Sequence, residues 1–273
     1  MAQKALLVGI NDYPSPRNKL SGCINDINDV AAFLTKKVDF SPNDIRMITD
    51  ERATADEIKK RLYWLVEDLK PGDKILYQYS GHGAVFPVRN DKGKVDNIYE
   101  CICPYDFKWT VDTCVRDVDF EEIFSNIPEG VQFVWISDSC HSGGLINQRS
   151  FEGRDEEIAS KPRQFYTPDD IAWRIVVAEA EKIVSESFRA IAQKLNASFI
   201  AACRADQTAS DAFFGTRPNG ALTYCLLQTL NKNGMIDQPL SFVMGNVIND
   251  IRKHGFKQEP QLEGETERKF LKE

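Results

Sequence analysis

What this chain lacks narrows it first. It contains no CxxC pair, and its seven cysteines (Cys23, Cys101, Cys103, Cys114, Cys140, Cys203 and Cys225) are odd in number, so neither a disulfide framework nor a structural zinc site is favoured. Positive charge is in short supply. Against 41 Asp and Glu stand 34 Lys and Arg, a net charge of −7, which argues against a nucleic-acid-binding surface. Long apolar runs are missing too. The opening MAQKALLVGINDY is short for a signal peptide and far short of a membrane span, so a cytoplasmic protein with no membrane and no nucleic acid as partner is expected. VGINDYPSP, around the end of the first apolar run, supplies no glycine-rich phosphate loop, which counts against a flavodoxin-like nucleotide binder. Without internal repeats or low-complexity tracts, and with 42% hydrophobic residues for a sizeable core, the 273 residues read as one domain, 1–273, and as a monomer.

What is present is an alternation of strand-like and helix-like segments. KALLVGI, IRMIT, KILYQYS, VQFVWIS and ASFIAAC are apolar runs of strand length. Between them, 23–38 and 54–69 repeat apolar residues at helical spacing, the second with Thr54 as N-cap and Glu57 completing a capping box. Helices are also predicted over 167–195, 220–230 and 240–254. The pattern predicts an α/β fold with a mostly parallel central sheet and helices on both faces, and a helical insertion at about 150–197.

Two of the runs end in chemistry. VQFVWISDSCHSGG (131–144) finishes in acid, hydroxyl, thiol, imidazole and two glycines, and KILYQYS is followed by GHGA. Parallel strands carry such loops to the same sheet edge, which would bring His82 and Cys140 together. An imidazole that takes the thiol proton makes cysteine a nucleophile for acyl groups. The amides of Cys140 and Gly83 are then candidates to receive the developing oxyanion. His141 adjoins Cys140, but neighbours on an extended segment point apart, so His82 is the better base. A zinc site on Cys140, His82 and His141 lacks an obvious fourth ligand. Cys101, Cys103, Cys114 and Cys225 read as small buried hydrophobes, and Cys23 and Cys203 could be the same. Asp26, without further context, reads as a turn cap or a solvated helix residue, and His254 as a surface residue near a helix end.

YSGHG and DSCHSGG, with LSGCINDI (20–27) upstream, resemble the metacaspase branch of the caspase-like cysteine peptidases. CICPYDF, ACRADQTASDA, NGALTYCLLQTL and QEPQLEG resemble later blocks of that family, so the resemblance spans nearly the whole chain, as a bacterial-type member without a prodomain. It implies a caspase-like sandwich with a Cys-His dyad of Cys140 and His82; no cofactor is expected. At the positions lining the primary pocket it places Asp26 and Asp138, with Ser80 and Cys23 beside them. Two carboxylates suit an arginine or lysine, each charge-assisted hydrogen bond being worth roughly 1.5–3 kcal/mol. The implied partners are therefore peptides or proteins cut after Arg or Lys; the competing expectation is a catalytically silent scaffold. If the chain cuts itself, the cut is expected within 149–163, which offers Arg149, Arg154 and Lys161, with Arg163 before a glutamine; self-cleavage is not required, since the dyad lies wholly upstream.

Calcium-dependent members of the family hold a cation on aspartates after the nucleophile, in a paired-acid segment before it, and in the loop upstream. Here Asp117 is followed by Val118 and the position seven residues after Cys140 is Asn147, leaving Asp106, Asp117 and Asp119. Calcium affinity follows ligand charge count, so activity without calcium is expected.

Overall fold

The computed structural model describes residues 1–140, 160–180, 187–195 and 197–272. All five apolar runs form strands of one sheet: β1 (Gln3–Gly9), β2 (Ile45–Thr49), β3 (Lys74–Ser80), β7 (Gln132–Asp138) and β9 (Ser198–Ala201) lie parallel. A sixth strand, β12 (Gln261–Gly264), closes one edge antiparallel to β9, giving the order β12-β9-β7-β3-β1-β2. Outside this sheet, β4 (Gly83–Arg89), β5 (Val95–Ile102) and β6 (Val115–Arg116) form an antiparallel meander. A second small sheet joins β8 (Ser160–Pro162), β10 (Ser210–Phe214) and β11 (Arg217–Gly220).

Strand side chains alternate between two cores. Leu6, Val8, Ile75, Tyr77, Phe133 and Trp135 face one cluster, whereas Ala5, Leu7, Leu76, Val134 and Ile136 face the other, as the two-residue period of a strand dictates. Helices α2 (Ala55–Val66), α3 (Asp117–Phe124) and α5 (Phe188–Lys194) cover the first face. Trp135 is the centre of that side, with the rings of Phe120, Phe124, Phe188 and Phe199 4.7–5.4 Å away. The second face is covered by α1 (Cys23–Lys37), α6 (Ala221–Leu230) and α7 (Leu240–Lys253).

The helical pattern expected over 167–195 is not a single element among the described residues. It contributes α4 (Asp169–Ala180) and α5, and the Ser187 hydroxyl accepts from the Ala190 amide, capping a new helix start. Two further elements, β12 and α3, were not assigned from the sequence. Among the described residues no helix is long and apolar enough to cross a membrane.

Candidate active site

Sheet register sets the site. The last paired row of β3 and β7 joins Ser80 to Asp138, and His82 and Cys140 each lie two residues beyond that row. Both are buried. The backbone of His82 is held on three sides: its N–H donates to the Tyr13 hydroxyl at 2.9 Å, and its carbonyl accepts from Tyr79 Oη at 2.7 Å and the Cys103 amide at 2.9 Å. Its ring is oriented by Nε2, 2.7 Å from the Asn18 carbonyl oxygen. A carbonyl only accepts, so Nε2 carries the hydrogen and Nδ1 keeps a lone pair, buried and, among the described residues, without a hydrogen-bond partner. Burial, only partly offset by the Asn18 hydrogen bond, pushes the imidazole down to about 4, so it is neutral near pH 7.

Cys140 Sγ accepts from the Ala209 amide at 2.8 Å and donates to the Ala209 carbonyl at 3.7 Å, and the Cys203 thiol is pushed up first by the neighbouring Cys140 and then by burial. His141, Gly143, Gly144, Asn147, Arg149 and Arg154 lie outside the described residues.

Between these two groups runs part of the chain itself. Strand β8 pairs antiparallel with β10, Pro162 opposite Ser210, and the next residue, Arg163, donates its N–H to the Ala209 carbonyl at 2.9 Å. The Arg163 carbonyl oxygen accepts from the amides of both Gly83 and Cys140, each at 3.2 Å. Two N–H groups converging on one carbonyl are what stabilisation of a tetrahedral oxyanion requires.

The Arg163 side chain is fully buried among three carboxylates. Its Nη2 donates to Asp26 at 2.7 Å and to Asp211 at 2.9 Å, while Nη1 donates to the Asp138 carbonyl oxygen at 3.1 Å and lies 3.2 Å from the Asp138 carboxylate. Each acid is itself held. Asp26 Oδ1 accepts from the Gly220 amide and Asn219 Nδ2, Asp138 Oδ2 from the Thr223 amide and hydroxyl, and Asp211 from the amides of Ser21 and Gly22. Burial pushes Asp26 up to about 7, against the pull of Arg163. The Cys23 thiol feels the same guanidinium, although burial dominates and raises it. Ser80 is buried on β3 and accepts from Gln78 Nε2 at 3.4 Å; among the described residues no hydrogen bond joins it to Arg163.

Asp211, Asn219, Gly220, Thr223, Asn18 and Tyr13 went unmarked in the sequence. The first four sit inside or beside stretches quoted above, ACRADQTASDA and NGALTYCLLQTL, but their contribution is contact across loops, with no local pattern of its own.

The acids considered for calcium are committed elsewhere. Asp106 accepts from the Ala55 amide at the start of α2, both oxygens of Asp117 accept backbone N–H groups, and Asp119 pairs with Arg116 and Lys59. Among the described residues no three or more His, Cys, Asp or Glu are grouped to hold a metal ion, and these donors do not fit a hard cation that needs about six to eight converging oxygens.

The model of the family described as metacaspase, peptidase C14 domain, matches residues 3–149. The chain belongs to the metacaspases, a family of caspase-like cysteine peptidases. It is 30% identical over 259 residues to metacaspase-1 of Arabidopsis thaliana, covering 92% of this chain and 64% of that one. With metacaspase-1 of Debaryomyces hansenii it shares 27% over 290 residues, 95% of this chain and 64% of that one. With metacaspase-7 of Arabidopsis thaliana it shares 36% over 169 residues, 60% of this chain and 40% of that one. This metacaspase thus spans 40–64% of the length of these relatives. The crystal structure of a Geobacter sulfurreducens protein superposes with a TM-score of 0.70 at 22% identity, covering 98% of both chains, which shows the caspase-like fold.

Proposed function

We propose that this metacaspase is an endopeptidase that hydrolyses the peptide bond after arginine or lysine. In this reading Cys140 is the nucleophile, His82 the base and then the acid, the amides of Gly83 and Cys140 the oxyanion hole, and Asp26, Asp138 and Asp211 the primary pocket. One observation carries it: Arg163 lies as a substrate would, its guanidinium among three buried carboxylates and its carbonyl oxygen on two amides.

The chemistry then balances as acyl transfer. The Cys140 thiol proton passes to His82 Nδ1, the sulfur–carbon bond forms, and the carbonyl π pair moves to the oxygen between the two amides. As the carbon–nitrogen bond breaks, His82 returns the proton to the leaving amine. Water, deprotonated by His82, cleaves the thioester to a carboxylate and regenerates the thiol. Bound in this way, the Arg163–Gln164 bond is the expected site of self-cleavage.

The test is a fluorogenic panel ending in Arg, Lys or Asp, run with wild type and Cys140→Ala. Wild type should cut after Arg and Lys and spare Asp, and Cys140→Ala should lose at least about a thousandfold in turnover. Wild-type rates from Cys140→Ala would remove it as the nucleophile, and cutting after Asp alone would reverse the pocket assignment.

A further inference from the structure

The chain continues beyond Arg163, and its course describes the far side of the cleft. Gly83 grips it twice: its N–H donates to the Arg163 carbonyl at 3.2 Å and its carbonyl accepts from the Phe165 amide at 3.2 Å. Gln164 is thereby bridged to Gly83, and the register of the next side chain is determined.

That side chain is aromatic and enters an aromatic cage. The Phe165 ring lies 5.0 Å from Phe107, 5.6 Å from Tyr13 and 6.2 Å from Trp109, at interplanar angles of 75–76°. Edge-to-face contact at these distances is the arrangement aromatic rings favour. The His82 ring forms the inner wall, 5.6 Å away at 87°.

The cage does not need Phe165 to hold its shape. The Tyr13 hydroxyl is tied to Tyr79 and the Cys103 carbonyl, and Phe107 is buried. Trp109 packs on Phe107 at 4.9 Å and on Phe86 at 6.3 Å. Trp109 also sits at a φ of 61°, in the left-handed region a bulky residue rarely occupies, so its ring position is maintained at a conformational cost.

We infer that Tyr13, Phe107 and Trp109 form a second specificity pocket, which takes a large apolar or aromatic side chain two residues after the cleaved bond. This rests on the peptidase reading above. The pocket adjoins the imidazole, so the residue filling it also covers His82 and helps exclude water from the reacting carbonyl. Selection on this side of the bond would make the chain a peptidase that reads sequence both before and after the cut.

The experiment uses internally quenched peptides of the form Lys-Pro-Arg-Gln-X-Ser, with X as Phe, Leu, Ala or Glu, alongside an arginyl-coumarin that has no residue at X. Burying an aromatic side chain in place of a methyl predicts a kcat/KM about tenfold or more higher for Phe than for Ala, with Glu lowest. The chain's own segment competes equally with every peptide, so the ratio is unaffected by it. Trp109→Ala should shrink the Phe-to-Ala ratio toward one. In cis, Phe165→Ala should slow release of the fragment beginning at Gln164 by a similar factor. A Phe-to-Ala ratio of one in wild type, with arginyl-coumarin still cut, overturns the second pocket and leaves the arginine reading intact. Failure to cut every arginyl substrate removes both. A ratio that holds in wild type and does not move in Trp109→Ala places the preference elsewhere and overturns the cage assignment.

Discussion

At the scale of single residues the proposed primary pocket is an exercise in buried charge. Three carboxylates around one guanidinium leave excess negative charge with no solvent to screen it, and Asp26 responds by titrating at about 7 instead of near 4. Burial is the first cause and Arg163 opposes it, so the guanidinium and a proton compete for the same carboxylate. On the proposed reading, arginine binding is linked to proton release, and binding so linked strengthens as pH rises. The KM for arginyl peptides should fall between about pH 6 and pH 8, and Asp26→Asn should flatten that slope while raising KM. A slope unchanged in Asp26→Asn would assign the titration to another group. The folded-state consequence has the same origin: a carboxyl raised to about 7 penalises the folded state as pH climbs from about 4 through 7. His82, depressed to about 4, adds no acid limb to the activity profile near neutrality. Gly220 is equally constrained, because a Cβ there would run into the Asp138 carboxylate and the Arg163 guanidinium. Gly220→Ala should fill the pocket floor and cut kcat/KM on arginyl peptides by about a hundredfold or more, checked against an unchanged circular dichroism spectrum. Normal arginine turnover in that variant would show that the guanidinium binds elsewhere.

At the scale of elements, one short segment decides how the site is presented. Residues 160–165 lie between β10 and the first residue of β4, adding backbone hydrogen bonds on both sides, as an extended peptide does when it augments a sheet edge. Being part of the chain, the segment competes at an effective concentration on the order of millimolar. Arg163→Ala should abolish the cut between residues 163 and 164 and leave arginyl peptides cleaved from the first moment, without the lag expected of wild type. Mass spectrometry and progress curves test both parts. A wild-type fragment pattern in Arg163→Ala would place self-cleavage elsewhere, at Arg149, Arg154 or Lys161. The proposed nucleophile and base are delivered by ordinary means: β3 and β7 are parallel neighbours in register, so His82 and Cys140 both lie two residues beyond the same row, and the Gly83 and Cys140 amides converge on one carbonyl. The shared sheet edge was legible in the sequence because both strands are short apolar runs with abrupt ends. Division of the 167–195 pattern into α4 and α5 was less legible, since Ser187 acts as a cap only where its hydroxyl meets the Ala190 amide.

At the scale of the whole molecule the acids that could hold calcium are dispersed by the fold: Asp106 serves α2, Asp117 serves β5 and α3, and Asp119 serves Arg116. Excess EGTA should therefore leave arginyl-peptide turnover unchanged; loss of activity that millimolar calcium restores would overturn this. The sequence by itself determined the two-faced sheet, because alternation along β1, β3 and β7 sends successive side chains to opposite cores whatever surrounds them. It also marked His82, Cys140 and Asp138, since their types and positions at strand ends are local facts, whereas Asp26 read locally as a turn cap or solvated helix residue and took its pocket role only from the family resemblance. Only the tertiary structure decided that Asp211 joins the acids, that the Asn18 carbonyl orients the imidazole, and that Arg163 and Phe165 lie in the cleft. These depend on contacts between loops far apart in the chain, made by backbone groups and by residues common in any loop. No spacing rule records them, because the distances that matter are set only when the sheet and its two helical layers close around the site.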